Sequence, residues 1–150
     1  MAFRLVQSGG AVTDPAVVNL YASGTIWNGC VVSMAMGAAG IPGYVYAAAT
    51  ITPTAIFGIA QGYVEGASDT MVKVIPFTQG QVWEADCTSN TTTAHVQKRH
   101  ALTDSLTVAN TGYDLTSLTG IFLAYNLTGA TGDKKILGTF LKQPYADRPA

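Results

Sequence analysis

Short apolar runs separated by turn-forming residues extend along the whole chain. Val82 to Thr88 shows the pattern most plainly. Trp83, Ala85 and Cys87 fall on one parity, and Val82, Glu84 and Asp86 on the other. A two-residue period sends successive side chains to opposite faces of a strand, so this segment predicts a strand with a dry face and a wet face. Ile56 to Val64 puts Phe57, Ile59 and Tyr63 on one parity, and Gly58, Ala60 and Gly62 on the other. That predicts a strand with a bulky and a thin face, where the glycines permit a bend or the close approach of another strand. Met71 to Pro76 predicts a strand with Val72 and Val74 on one side and Lys73 on the solvated side. Pro76 ends it or sits at an edge, because proline has no N–H for the ladder.

The remaining runs are weaker. Ala16 to Tyr21, Ile26 to Met34 and Tyr44 to Thr50 read as strands, with a glycine-rich loop from Gly37 to Gly43 between the last two. Tyr44 to Thr50 is rich in alanine, but Pro42 and Pro53 leave it too short for a convincing helix. His95 to Leu102 is ambiguous and is the candidate for a short helix. Leu102, Leu106 and Val108 are anchors around a turn at Thr103-Asp104, and Asn110-Thr111-Gly112 marks a second turn. Ile121 to Leu127 and Lys135 to Leu141, joined through Gly129 to Gly132 and Asp133, predict a hairpin. About eight short strands at such spacing predict an all-β fold, a single compact β-barrel or β-sandwich with at most one short helix. The expected organisation is an extended N-terminal arm over residues 1–15, a β domain over 16–142 and a C-terminal tail over 143–150. A single core drawn from both halves of the chain should bury Ile59, Val74, Trp83, Phe122 and Phe140.

Composition narrows the classes. Hydrophobic types make up 48% of the 150 residues and charged types 11%. This excludes a disordered chain and a coiled coil, both of which need far more charge. The net charge is −1, with two basic and three acidic residues in the first 75 positions and six of each in the rest. No basic stripe for nucleic acid results, only the doublets Lys98-Arg99 and Lys134-Lys135. So little charge gives weak protection against self-association and hints at a surface meant to be covered. Nothing at the N-terminus reads as a signal peptide, and the apolar stretch near residues 29–51 is broken by turn signals before it could span a bilayer. No membrane contact is expected.

Candidate chemistry is thin. Cys30 and Cys87 form no CxxC pair and are expected as buried free thiols, with a disulfide left open. His95 and His100 are five apart, which is not the spacing of a helical metal pair. A nucleophile–base pair of Cys87 with His95 lacks an orienting third group. Glu84 and Asp86 share a strand face and so admit acid–base chemistry, but a wet strand face explains them more simply. Gly129 to Lys135 has the wrong spacing for a phosphate loop and fits a hairpin turn. No catalytic residue, cofactor or metal is expected. The seven tyrosines and two tryptophans suit stacking on sugars or burial in a protein interface.

The block from Phe57 to Leu141 contains Phe57-Gly58-Ile59-Ala60, Val72-Lys73-Val74-Ile75-Pro76, Val82-Trp83-Glu84-Ala85-Asp86 and Ala101-Leu102-Thr103-Asp104. It ends with Gly120-Ile121-Phe122 and with Lys134 to Leu141. This block resembles the head decoration, or cement, proteins of tailed bacteriophages, and residues 1–50 match less clearly. The resemblance implies a non-enzymatic virion protein, assembled in the host cytoplasm and bound to the capsid exterior. There it would bridge neighbouring major capsid protein subunits, often as a homotrimer. It implies no nucleic-acid partner. Contact residues expected on this reading are Phe3 and Leu5 in the arm, Ile41 and Tyr44 at the glycine-rich loop, His95 and His100, and Tyr145 in the tail. The alternatives are another phage head or tail part, or a β-rich ligand- or carbohydrate-binding module.

Overall fold

A computed structural model describes residues 3–7, 16–22, 24–34, 44–47, 56–65, 70–78, 80–110 and 120–141. Eleven strands run through them: β1 Arg4–Gln7, β2 Val18–Ala22, β3 Val31–Met34, β4 Tyr44–Ala47, β5 Ile56–Gln61 and β6 Met71–Pro76, followed by β7 Val82–Cys87, β8 Arg99–Asp104, β9 Thr107–Ala109, β10 Phe122–Leu127 and β11 Lys135–Phe140. Among the described residues the one helical element is a three-residue 3-10 turn, Thr93–His95. The all-β expectation holds. Met71–Pro76 matches its predicted bounds, and the predicted hairpin is β10 with β11. The ambiguous segment from His95 divides into the end of the 3-10 turn and strand β8, and Thr103-Asp104 lies in that strand.

The strands form two bodies of sheet. β2, β4, β3, β5 and β6 close into a barrel. The other six follow the order β1-β7-β11-β10-β8-β9. A short parallel pairing of Asp86 with Thr107 and of Cys87 with Val108 brings β9 back onto β7. One edge of β7 carries β11, and its other edge is divided between β1 near Val82 to Glu84 and β9 near Asp86 and Cys87.

Among the described residues two apolar clusters stand in place of the single expected core. Ala22, Ile26, Cys30, Val32, Phe57, Ala60, Val72 and Val74 fill the barrel. The larger cluster joins Val31, Ile56, Ile59, Ile75 and Phe77 of the barrel side to Trp83, Ala85, Leu102, Phe122, Ile136 and Phe140 of the six-stranded sheet. The division follows from strands buried on both faces. In β5, Ile56 and Ile59 face the sheet while Phe57 and Ala60 face the barrel interior. The predicted parity that united Phe57 with Ile59 fails because the β3–β5 register shifts between Val32 and Ser33, and such a bulge inverts the alternation. All five residues expected in the core are buried.

Gly58 sits where β5 and β6 of the barrel crowd together. It pairs with Pro76, and a Cβ built on it would lie 2.1 Å from the Ile75 carbonyl oxygen. The thin face foreseen at this position is therefore a close approach of β6. Aromatic rings occupy the centre of the larger cluster. Phe77 stacks on Phe140 at 4.1 Å, and Trp83 meets Phe77 edge-on at 6.0 Å.

Candidate interaction surface

Four of the large apolar side chains left exposed gather at one end of the barrel. Tyr21, next to the last residue of β2, pairs with Met71, which opens β6. β5 runs antiparallel to β6, so Tyr63, two residues beyond the end of β5, lies at that same end. Trp27 then packs its ring, tilted by 41°, against Tyr63 with centroids 4.8 Å apart. Each of the four keeps between 41% and 52% of its surface in solvent. The register also puts Tyr44 of β4 beside Tyr21.

Local hydrogen bonds hold this rim in shape. Ile26 bridges Val64 through both backbone groups at 3.0 and 2.9 Å. The Gly62 N–H donates to Asn28 Oδ1 at 2.8 Å, clamping the Trp27 turn to the end of β5. The Tyr63 hydroxyl donates to Glu65 Oε1 at 2.9 Å, which holds its pKa above the usual value. Isolated exposed apolar residues are ordinary, but a cluster of Trp, Tyr and Met with a polar border has the composition of an interface centre.

Glu84 and Asp86 lie on the outer face of the six-stranded sheet in a charge ladder. Arg4 forks onto Glu84 through Nη2 at 3.1 Å and Nε at 3.3 Å. Lys135 donates to Asp86 Oδ1 at 2.8 Å and stands 3.8 Å from Glu84 Oε1. The hydrogen bond to Asp86 raises the Lys135 pKa, so the ammonium persists at neutral pH. Opposite charges across three neighbouring strands explain these carboxylates as a paired strand face. A shallow hollow of about 480 Å³ beside them is lined by Asp86, Asp133, Lys134 and Lys135.

The histidines are structural. His95 Nδ1 accepts the Thr92 N–H at 2.9 Å, closing a capping box on the 3-10 turn. His100 is fully buried, and its Nε2 donates to the His95 carbonyl at 2.8 Å. Burial pushes the His100 pKa down, so the ring is neutral. Cys30 and Cys87 are free and buried, one in each cluster, and burial pushes their pKa values up to about 11 and about 12. Neither is a thiolate at neutral pH, as a nucleophile requires. Among the described residues no group of three His, Cys, Asp or Glu side chains could hold a metal ion, and no helix is long and apolar enough to cross a membrane.

The expected contact residues separate accordingly. Phe3 is 3% exposed and packs against Phe122 and Phe140, with centroids 6.1 and 5.1 Å away. Leu5 is half-buried against the same cluster. Phe3 and His100 therefore face inward, because an aromatic ring at 3 and an imidazole at 100 complete the inner packing of the sheet. His95 is half-buried, and Tyr44 lies beside the rim in register. Ile41 and Tyr145 fall outside the described residues. Sequence reading missed Trp27, Tyr63 and Met71 as a group, since only the barrel register unites them. No protein-family model matches the chain, and no curated protein matches it in sequence.

Proposed function

We propose that this chain is a non-enzymatic structural protein of a tailed-phage head. It binds the outer surface of the capsid and stabilises contacts between major capsid subunits, with the Tyr21–Met71–Tyr63–Trp27 rim as its contact surface. The rim carries the proposal: an ordered, exposed cluster of the residue types that dominate interface hot spots. The resemblance of Phe57 to Leu141 to decoration proteins supplies the partner, and assembly as a trimer is part of the same reading. Its work is thermodynamic. A protein that binds the expanded shell and not its immature or broken forms shifts the balance toward the expanded shell. Many weak contacts on a closed lattice reinforce one another through effective concentration.

The test is co-sedimentation with expanded capsids prepared without this protein, followed by heating of the decorated and bare shells. Binding that raises the disruption temperature, and that is lost in a Tyr63→Ser/Met71→Ser variant, is expected. No binding, with bare shells equally robust, would refute the role. A second reading, a carbohydrate-binding module, draws on the Trp27–Tyr63 pair bordered by Asn28 and Glu65. Saturable quenching of Trp27 fluorescence by sugars, without capsid binding, would favour it.

A further inference from the structure

We infer that the β7 edge from Val82 to Glu84 is a strand-acceptor site that takes β1 from a second copy of this chain as well as from its own. The inference stands independently of the capsid role. Among the described residues, β1 and the Phe3 before it meet partners far away in sequence. Arg4 pairs with Glu84 and Leu5 with Trp83, Phe3 fits against Phe122 and Phe140, and the Phe3 N–H donates to the Gly29 carbonyl at 3.0 Å. Every one of these contacts forms equally well when β1 belongs to a neighbour, which is the condition for low-cost strand exchange.

Two features make the site an acceptor rather than an ordinary sheet edge. β9 occupies the Asp86–Cys87 part of that edge, so the stretch that β1 covers is bounded and fixes the register of whatever docks. Departure of β1 would also expose an apolar socket at Phe122 and Phe140 and strip Glu84 of its Arg4 fork. A replacement must supply backbone pairing, an aromatic ring and, one residue on, a cation. The Phe3–Gln7 segment of another copy, Phe3 followed by strand β1, supplies all three, in the manner of strand addition. Residues 8–15, including Gly9 and Gly10, connect β1 to the barrel. An eight-residue stretch spans at most about 30 Å. The ladder itself is short and shifts register between Leu5 and Gln7, which limits the hold of the intramolecular arrangement.

Charge reversal tests this in the full-length chain. Arg4→Glu alone sets two carboxylates against each other within one chain, and Glu84→Arg alone sets two guanidinium groups. A reciprocal exchange between one copy of each variant restores both opposite-charge pairs. Native mass spectrometry of the mixture should show a heterodimer at twice the 15.6 kDa chain mass, at least tenfold more abundant than either homodimer. A statistical distribution, or no dimer, would overturn the inference. Cysteine pairing provides a second measurement. Arg4→Cys in one population and Glu84→Cys in another should oxidise to a mixed dimer that a Phe3→Ala change in the first population suppresses. Internal oxidation of the Arg4→Cys/Glu84→Cys double variant, with no mixed dimer from the two single variants, would contradict it.

Discussion

Gly58 shows how one position sets the approach of two barrel strands. Its hydrogen stands where a methyl group would press 2.1 Å from a backbone oxygen of β6, and backbone cannot swing aside as a side chain can. Gly58→Ala is expected to cost about 1–3 kcal/mol or more in urea denaturation, the range for forced overpacking. The glycine was legible in the sequence as a thin strand position, but its partner was not, because pairing across strands leaves no local signal. The histidines make a similar point. His100 titrates with a folded-state pKa below its ordinary 6.5, so below that pH the unfolded chain binds a proton that the folded chain resists. The stability should therefore fall as pH drops below about 6.5, and His100→Gln should flatten that dependence in denaturation midpoints measured between pH 7.5 and 5. Cys30 and Cys87, both held protonated by burial, should react with a thiol reagent only on unfolding. Rapid labelling of the native protein at neutral pH would contradict their placement.

At the scale of elements, Phe3 just before β1 and Phe140 at the end of β11 are buried in the same cluster, but their strands are held differently. Phe140 belongs to a central strand paired on both sides, while Phe3 precedes a four-residue strand bound to β7. Phe140→Ala should cost about 3–5 kcal/mol, the range for a buried phenylalanine. Phe3→Ala should cost less, because β1 can undock instead of leaving a void, and the loss is capped by its docking free energy. Equal losses in chemical denaturation would show that β1 is as integral as β11. Strands with regular alternation, such as β6 and β7, were readable because one face of each is wet. β5 was misread in its parity because it is buried on both faces and carries a bulge, and neither property has a two-residue signature. The arm was recognisable as an apolar patch at Phe3, Leu5 and Val6, whereas its seat on β7 depends on a pairing 80 residues away.

Over the whole molecule, a barrel and a six-stranded sheet share an aromatic core and leave an ordered Trp–Tyr–Met rim at one barrel end. The low charge in the sequence raised the expectation of a surface to be covered, but no local pattern marks the rim. The rim became visible only once β2, β5 and β6 were aligned, since its members are spread from residue 21 to residue 71. Oxidative footprinting of the chain, free and bound to the assembled capsid, bears most directly on the claim that this rim is a protein-binding surface. Trp27, Tyr63 and Met71 should oxidise readily in the free protein and be protected at least fivefold in the assembly, while exposed Tyr125 on β10 serves as a reference. Equal oxidation of the three rim residues in the free and bound states would contradict the account.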